Sequence, residues 1–462
     1  MTPRIGLGLV AALALCACNG GGGGSGGGSA TGGGSATGGG SATGGGSASG
    51  GGSATGGGGQ GVGGGFGGAT GGGTGTPNPL PPGFNGEGSV VLVAGSGEVT
   101  VAGLVSQSGS STATDMMAAR FDGALALDIN FGNTGVAAVD YDGDGTGVIN
   151  YDNDFAYGAT FDGDKIVMVG AARGPDLGGT DAALAKLTAT GALDTTFGGG
   201  TGKVVLGHNA TFDTEFRNVA VVAGGKYLAC GSNGGSFFAM RFNSDGTADS
   251  SFGDGVSAQG TVLSGEGACT SMVMQGDNVL IGGENTKVAR LTSTGAHDMG
   301  FGTANGYYSD DSTLGGIFIR GDGKLWLIGV RTDGSNVTYL HTVLLSADGV
   351  PDTSYGTNGV QEVQIDLPTV LLGAAMQGDK LVAFAGAQLN AVLMRVNTDG
   401  TLDTTFGTAG TFALPFVGTG GHSLVGSRQH LTVVNNVAYI GYVQPISADP
   451  FTQFVVYKHA LP

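Results

Sequence analysis

A short pattern that recurs six times limits what this chain can fold into. Each copy is an apolar strand followed by a turn with Asp or Gly and then by Asp-x-x-Phe-Gly, with Tyr replacing Phe once. We call the five closing residues the connector; the six connectors are 128–132, 194–198, 249–253, 298–302, 352–356 and 403–407. Their aspartates lie 49 to 66 residues apart, which fits a four-stranded unit rather than a helical pair.

A second pattern precedes each copy and occurs once more near the end of the sequence. It is an apolar strand that follows a turn and ends near glycine, at 98–103, 165–170, 226–231, 278–283, 324–329, 380–386 and 436–441. The last instance is followed by an apolar strand at 454–458 but by no connector. Seven strand pairs and six connectors predict seven blades joined by six connectors.

The residue types between these markers favour β-structure. Runs of four to seven apolar residues alternate with Gly-Asp, Asp-Gly and Gly-Gly, and no stretch has sustained helical periodicity. An all-β array of this length must protect its strand edges, and radial closure is the usual solution. We therefore predict an all-β fold over residues 89–462, a β-propeller of seven blades of about 50 to 60 residues each.

The connector residues are expected to be structural. Its Asp can cap backbone amides, its Phe can pack between adjacent blades, and its Gly can take positive φ, so the connector makes physical sense as the joint between blades. No catalytic role is predicted for six similar aspartates.

The segment 397–407, Asn-Thr-Asp-Gly-Thr-Leu-Asp-Thr-Thr-Phe-Gly, and its five relatives resemble the delta-60 repeat of bacterial surface proteins. The resemblance extends over about residues 90–460 and implies a propeller-like fold, but no established chemistry. Two copies depart from the pattern. Residues 118–132 lack the Asp-Gly turn at its usual position, where Ala124 and Leu125 stand, and 344–356 have Leu344 and Tyr355 in place of Arg and Phe.

The first eighteen residues have the pattern of an export signal. Arg4 precedes an apolar stretch at 5–15 that is too short to span a bilayer. The following Leu-Cys-Ala-Cys resembles the lipobox of bacterial lipoproteins, which implies a signal peptide at 1–17 and a lipid-anchored Cys18. By the same resemblance, Asn19 favours the outer membrane of a Gram-negative bacterium. An ordinary secretory signal is the alternative.

Residues 18–88 are predicted to be a disordered tether behind the lipidated cysteine. From 20 to 76 they are almost only Gly, Ser, Ala and Thr, which leaves little to bury and much backbone entropy to lose. About 60 such residues have a root-mean-square span of about 40 to 45 Å, so the tether lifts a folded domain off the membrane.

The net charge of the chain and the absence of known catalytic motifs limit the functions that can be predicted. The net charge is -18 and no basic segment is present, so nucleic acid is not predicted as a partner. A single tryptophan, Trp326, is incompatible with Trp-Asp repeats and with quinone-cofactor propellers, and 244–247 does not complete a sialidase-type Asp box. The six histidines have no metal-ligand spacing, and no Gly-x-Ser-x-Gly elbow occurs in the predicted repeat domain at 89–462. The sequence therefore predicts no catalytic residue.

One loop has the spacing of a calcium site. Asp140, Asp142 and Asp144 alternate ahead of a glycine, as in an EF-hand-like loop, and calcium prefers oxygen ligands. Because the twelfth position is a tyrosine, Asp152 or Asp154 would have to complete the ligand set. A solvated acidic loop in the second blade is the alternative.

Two cysteines, Cys230 and Cys269, fall in adjacent repeats of the predicted propeller. An exported protein meets an oxidising compartment, so a disulfide between them is expected. Two buried free thiols are the alternative.

The leading functional hypothesis is a non-enzymatic binding or scaffold module for an envelope or extracellular protein or glycan, held at the membrane by its lipid. The alternative is a hydrolase or lyase of extracellular polysaccharide with carboxylates in the propeller channel. Carboxylate pairs at one channel mouth would favour the enzyme, whereas a carboxylate-poor channel would favour binding.

The predicted recognition surface rests on connections assigned to the third and fourth strands of each blade. They are short at 233–235, 284–287 and 388–390, and long at 106–115, 173–181, 331–341 and 444–453. Long loops of the last, first and second blades are expected to form one rim. Its candidate contacts are Arg173, Asp176, Gln444 and Phe451. Tolerance of insertions near the closure seam is the alternative.

Overall fold

Seven antiparallel sheets form the seven blades of a β-propeller, as the sequence predicts. The computed structural model describes residues 84–107, 114–141, 154–172, 179–206, 213–254, 260–263, 267–283, 285–365, 370–387, 390–414, 430–445 and 452–462. In each sheet the strands are hydrogen-bonded in the order in which they occur in the sequence.

The strands of blades 1 to 3 are β1 Phe84–Val93, β2 Val99–Gln107, β3 Asp115–Phe121 and β4 Val136–Val139; β5 Phe155–Asp162, β6 Lys165–Ala172, β7 Asp181–Leu187 and β8 Lys203–Val205; β9 Thr214–Val222, β10 Lys226–Asn233, β11 Ser236–Phe242 and β12 Thr261–Leu263. A single-turn 3-10 helix, Gly198–Gly200, precedes β8. The structure begins β1 ahead of residue 89, where the sequence predicts the repeat domain to start.

The strands of blades 4 to 7 are β13 Cys269–Gln275, β14 Asn278–Gly283, β15 Lys287–Leu291 and β16 Tyr307–Ser309; β17 Thr313–Ile319, β18 Leu325–Thr332, β19 Thr338–Leu345 and β20 Val360–Ile365; β21 Val370–Gln377, β22 Lys380–Ala387, β23 Asn390–Val396 and β24 Thr411–Ala413; β25 Leu431–Val434, β26 Val437–Pro445 and β27 Thr452–Ala460. The second strands of the blades coincide with the seven predicted strands that end near glycine. They are β2, β6, β10, β14, β18, β22 and β26.

The hydrophobic core is divided into seven clusters, one at each contact between neighbouring blades. The cluster that joins blade 7 to blade 1 contains Val456 together with Val91 and Phe121. The Thr432 hydroxyl also donates to the Val91 carbonyl at 2.6 Å. Because every blade packs on two neighbours, the ring is closed.

The first strands of neighbouring blades contact one another around the axis. In blades 2 to 5 a glycine on the second strand lies against the backbone at the start of the first strand of the same blade. A Cβ at Gly170 would lie 1.7 Å from the Phe155 carbonyl oxygen, and a Cβ at Gly231 would lie 1.9 Å from the Glu215 oxygen. Next to these contacts β5 and β9 each contain a bulge. The glycines that end the second predicted pattern are therefore required by close approach.

The three roles expected for connector residues are confirmed in all six copies. Each Asp accepts a hydrogen bond from the amide two residues later, as Asp403 does from Thr405 at 3.1 Å. Each Phe or Tyr lies in the core cluster shared with the next blade. Each Gly has positive φ.

The position of the connector in the chain was predicted wrongly. It does not join two blades; it joins the third strand to the fourth strand within one blade, as between β3 and β4. The chain returns through it to form the outermost strand before it crosses to the next blade. The described part of blade 7 has three strands, which explains why seven blades come with six connectors.

Hydrogen bonds from the connector region also link each of blades 1 to 4 to the next blade. The amide of Gly302 donates to the Asp348 carbonyl at 2.8 Å, and the Arg241 guanidinium donates to the Ser293 carbonyl at 2.8 Å. In blade 5 Leu344 replaces the third-strand arginine. Arg320, from the turn between β17 and β18, donates there to the Thr398 carbonyl at 2.9 Å. The missing arginine at Leu344 is thus compensated by an arginine from the turn between the first two strands of the same blade.

The two ends of the propeller differ in what they carry. We call the end with the connectors and the first-to-second-strand turns the connector face. We call the other end, with the second-to-third-strand connections and the crossings between blades, the loop face. The described segments contain no helix with the length and apolar character needed to cross a membrane.

Candidate functional site

The loop face carries charged and aromatic side chains that are not repeated between blades. Nearest the axis, β5 and β9 begin at this face, and their bulges leave Tyr157 and Arg217 outside the regular strand pairing. The Arg217 Nε lies 2.6 Å from Oε1 of Glu215. The Tyr157 ring stacks on Phe155 with a centroid separation of 5.7 Å. We call these four residues the axial cluster.

Burial, reinforced by the Glu215 carboxylate, raises the pKa of Tyr157 well above its ordinary value. The phenol therefore stays neutral at physiological pH and can both donate and accept a hydrogen bond. Beside it, an arginine and an aromatic ring offer stacking surfaces. This combination can bind a polar ligand without performing chemistry on it.

Carboxylates are few in the described first strands, which surround the axis. They are Glu87, whose side chain is not described, Asp162 and Glu215. Asp162 lies at the connector face and pairs with Lys186 at 2.9 Å, and Glu215 pairs with Arg217. A glycoside hydrolase of the usual kind needs two carboxyl groups flanking the scissile bond. Asp162 ends β5 and Glu215 is near the start of β9, so these two described side chains lie towards opposite ends of the channel and do not form such a pair.

Three aspartates meet on the loop face between blades 1 and 2. Asp115 begins β3, Asp140 follows β4 and Asp154 precedes β5, and their carboxylate oxygens lie within 4.8 Å of one another. Asp154 is fully buried and accepts a hydrogen bond from the Tyr141 amide at 3.0 Å. The Lys203 ammonium donates to the Asp140 carbonyl at 2.6 Å. We call these three residues the Asp115 cluster.

The Asp115 cluster offers the oxygen ligands that calcium prefers. It contains Asp140 and also Asp154, one of the two residues expected to complete the shell. Asp142, Asp144 and Asp152 lie outside the described residues. Asp115 could not be predicted as a ligand because it is far from Asp140 in the chain. The two residues come together only through the pairing of β3 with β4. Calcium at this place stays a prediction.

A second polar group lies on the loop face between blades 4 and 5. His341, buried on β19, places Nδ1 2.9 Å from Glu362 and Nε2 3.2 Å from Asp310. Nη2 of Arg331 donates to Oε2 of Glu362 at 2.8 Å, and the Tyr308 hydroxyl donates to Asp310 at 2.9 Å. This group could not be predicted from the sequence because its members come from two blades and from five strands or crossings.

Neighbouring charged groups shift the pKa values of His341 and Glu362. Burial lowers the pKa of His341, but hydrogen bonds to Asp310 and Glu362 outweigh it, so the pKa is raised. The hydrogen bond from Arg331 lowers the pKa of Glu362 to about 2. The histidine is thus held between two ionised carboxylates, and these contacts tie blade 4 to blade 5.

Cys230 and Cys269 are joined by a disulfide in the structure, with Cα atoms 5.8 Å apart. Both are buried, Cys230 on β10 and Cys269 at the start of β13. The bond therefore links the second strand of blade 3 to the first strand of blade 4, and it is next to the bulges of both first strands.

The connections proposed as a recognition rim join the second and third strands, not the third and fourth. The stretch 331–341 was wrongly expected to be a long loop. It consists of the ends of β18 and β19 and a turn at 333–337, because Arg331 pairs with Tyr339 and Thr332 pairs with Thr338.

Of the four candidate contacts, only Gln444 lies among the described residues. It belongs to β26, opposite Gln453 on β27, so the strands extend into the stretch 444–453. Arg173, Asp176 and Phe451 lie outside the described residues, and their role as contacts stays a prediction.

Comparison with known proteins agrees with the blade architecture. The family model DUF5122, a domain of unknown function described as a β-propeller, matches residues 164–197, 221–252 and 383–406. Each matched segment includes a second strand at least in part, the third strand, and the connector through its aromatic residue. Among curated proteins, none matches the chain in sequence.

Several solved structures are similar to this chain at low sequence identity. A protein of unknown function from Dyadobacter fermentans is 9% identical, with TM-score 0.42, over 83% of this chain and 97% of that one. Polysaccharide lyase Uly1 is 10% identical, with TM-score 0.43, over 84% and 92%. A protein of unknown function from Bacteroides caccae is 11% identical, with TM-score 0.35, over 69% and 96%. The family match and the seven sheets together make this chain a propeller-type repeat protein.

Proposed function

We propose that the chain is a lipid-anchored protein of the cell envelope whose propeller is a non-enzymatic binding or scaffold module for an envelope or extracellular protein or glycan. The observation that carries the proposal is the difference between the two faces. The connector face repeats one set of ion pairs and hydrogen bonds in blade after blade, as a scaffold requires. The described loop face differs from blade to blade, which is the property of a recognition surface.

The axial cluster supports binding rather than catalysis. Its one carboxylate, Glu215, is already engaged by Arg217, and its phenol is held neutral. Aromatic faces beside a guanidinium suit the stacking and hydrogen bonding by which sugars and polar side chains are held. The alternative of a polysaccharide hydrolase or lyase requires ionisable groups that are poised to exchange protons with a substrate.

Retention and turnover of polysaccharide by the full chain distinguish the two functions. We expect insoluble envelope polysaccharide to retain the protein without release of reducing ends or unsaturated sugars. Tyr157→Ala should weaken retention, whereas Tyr339→Ala, a change at a tyrosine on the loop face away from the axis, should not. Release of sugars by the wild-type chain that disappears in Glu215→Gln would instead support the enzyme.

Absence of retention with every polysaccharide would move the proposal to a protein partner. In that case the same two tyrosine variants should be compared for cross-linking to envelope proteins in intact cells. Equal cross-linking of the wild type and Tyr157→Ala would refute a role of the axial cluster.

The anchor is tested separately from the propeller. Cys18→Ser should shift the full chain from the membrane fraction to the soluble fraction, because several acyl chains are lost and each buried methylene contributes about 0.8 kcal/mol. Metabolic labelling with a fatty-acid analogue should mark the wild type and not the variant. A variant that still sediments with membranes after a high-salt wash would contradict lipid anchoring.

A further inference from the structure

We infer that a cavity between blades 3 and 4 binds a small neutral molecule that carries a carboxamide on an apolar body. The cavity has a volume of about 280 Å³ and lies at the connector face, so it is separate from the proposed recognition surface. Its wall is apolar, formed largely by Val222, Leu228, Phe252, Met274 and Val279. Its rim is polar and includes the exposed residues Asp277 and Ser293.

The residue at the end of the first strand is glutamine in blades 4 and 6, aspartate in blade 2 and apolar in blades 1, 5 and 7. Gln275 ends the first strand of blade 4, and its Oε1 accepts from Nη1 of Arg290 at 3.1 Å. Its Nε2 donates to the Ala347 carbonyl of blade 5 at 2.8 Å. The glutamine amide therefore bridges the third-strand arginine of one blade and the turn carbonyl of the next.

Blade 6 repeats the bridge. Gln377 ends the first strand, its Oε1 accepts from Nη1 of Arg395 at 3.1 Å, and its Nε2 donates to the Pro462 carbonyl at 3.3 Å. Blade 2 has a different polar bridge at this position, because Asp162 pairs with Lys186 at 2.9 Å. A polar side chain at the end of the first strand is thus part of the joint between these blades.

Blade 3 has both partners of the bridge but not the amide. Arg241 occupies the place of Arg290, and its Nη1 donates to the Ser293 carbonyl at 2.8 Å, as Arg290 does to Ala347 at 3.0 Å. The first strand ends in Val222, which pairs with Lys226 as Gln275 pairs with Asn278. Valine is shorter than glutamine and has no polar atom, and the cavity borders it.

The chemistry of the bridge selects the headgroup of the ligand. A carboxamide oxygen can accept from Arg241 while its NH₂ donates to the Ser293 carbonyl, as the glutamine amides do. A carboxylate would put a second acceptor against that carbonyl, and an amine would lack an acceptor for the guanidinium. Arg241 is already neutralised by Asp249, whose Oδ2 lies 2.6 Å from Nε, so the site favours a neutral group over an anion.

The volume and the wall select the body of the ligand. An apolar cavity of about 150 Å³ is enough to hold benzene, so about 280 Å³ accommodates a substituted aromatic ring. Phe252 and Met274 provide a ring edge and a polarisable thioether for such a body. An arylcarboxamide of this size, such as benzamide, therefore matches both the wall and the bridge.

Calorimetric titration of the full chain with benzamide tests the site. We expect saturable one-to-one binding of benzamide, and binding of benzoate weaker by about tenfold, which is the effect of one hydrogen bond. Val222→Gln should abolish benzamide binding because the new side chain supplies its own amide to Arg241 and Ser293. Val434→Gln, the same change at the end of the first strand of blade 7, should leave binding unchanged.

Val222→Met provides a second variant that fills the cavity without an amide, and it too should prevent benzamide binding. Circular dichroism and thermal unfolding establish that each variant is folded. Lack of saturable binding of benzamide overturns the proposal, as does equal affinity for benzoate. Undiminished binding to the folded Val222→Gln or Val222→Met variant likewise excludes this cavity as the site.

Discussion

Arg395 and Asp403 lie eight residues apart in the chain and form a buried ion pair, with Nε of the arginine 2.8 Å from Oδ2 of the aspartate. Lys380 adds a second cation to the same oxygen at 2.6 Å. The other carboxylate oxygen accepts from the amide and hydroxyl of Thr405. One aspartate thus links the second strand, the third strand and the connector of blade 6.

Replacement of this carboxylate should be costly because it leaves a buried cation without its partner. We expect Asp403→Asn to lower the free energy of unfolding by about 3 kcal/mol. Asp399→Asn is the matched control: Asp399 is exposed and also caps a turn through Thr401, so the change should cost less than about 0.5 kcal/mol. Chemical denaturation of both variants measures the difference. Similar costs would mean that the ion pair contributes little beyond the cap.

The repeated carboxylates also predict loss of stability in acid. The hydrogen bond from Lys165 lowers the pKa of Asp194 to about 2, below the value of about 3.9 in an unfolded chain. Because the folded-state pKa is the lower one, the unfolded state takes up the proton first. The contribution is therefore present above about pH 4 and is lost as the pH falls toward 2.

Denaturation midpoints between pH 7 and pH 2 check this expectation. The midpoint should fall most steeply below about pH 4, and Asp194→Asn should make the fall shallower. Asp164→Asn, at an exposed turn of the same blade, should leave the slope of the wild type nearly intact. A midpoint that is independent of pH in this range would contradict the assignment.

Close backbone approach makes some glycines irreplaceable and others not. An alanine Cβ at Gly170 would meet the Phe155 carbonyl oxygen at 1.7 Å, so the first strand of blade 2 would have to shift. We expect Gly170→Ala to destabilise the fold by about 3 kcal/mol. Gly163, in the preceding turn, has φ of +65° and no atom within 4 Å of a Cβ, so Gly163→Ala should cost about 1 kcal/mol. Thermal unfolding of both variants tests the contrast, and equal shifts would refute it.

The disulfide should add stability because it closes a long loop. The two cysteines are 39 residues apart, and a loop of this length corresponds to about 4 kcal/mol in the chain-entropy description. A reducing agent should therefore lower the unfolding midpoint of the wild type. The double variant Cys230→Ala, Cys269→Ala should have the lower midpoint with or without the agent. An unchanged wild-type midpoint after verified reduction would contradict this contribution.

The propeller architecture could be predicted from the sequence because the same connector motif occurs six times. Six aspartates at similar spacing, each ahead of an aromatic residue and a glycine, report on the same turn six times, so one irregular copy such as Tyr355 does not obscure the pattern. The place of the connector within the blade was not predictable in the same way. The sequence predicts a strand, a turn and another strand. These two strands could be neighbours within one blade, or they could belong to two adjacent blades.

The candidate site was less predictable because its residues are not repeated. Asp115, Asp140 and Asp154 come together through strand pairing and blade contact, and His341 meets Asp310 only across a blade boundary. Residues 331–341 were predicted to be one of the four long connections between strands. They form strand ends since Thr332 and Thr338 fit a paired, half-buried surface.

The Asp115 cluster leads to a prediction about calcium. Three carboxylates within 4.8 Å, one of them fully buried, repel one another when ionised, and a divalent cation would relieve that repulsion. We expect millimolar calcium to raise the thermal midpoint of the full chain, since extracellular sites bind with dissociation constants of about 10⁻⁴ to 10⁻³ M. A chelator should reverse the rise.

Asp154→Asn should reduce the rise in midpoint because it removes the buried charge of the cluster. Asp213→Asn is the matched control: Asp213 lies at the corresponding crossing into blade 3 and accepts from the Thr180 amide at 2.8 Å, so the calcium response should persist. Magnesium should have a smaller effect, since it demands shorter bonds and nearly octahedral geometry. The same rise in the wild type and in Asp154→Asn would show that calcium binds elsewhere, and no rise in the wild type would refute the site predicted from the sequence.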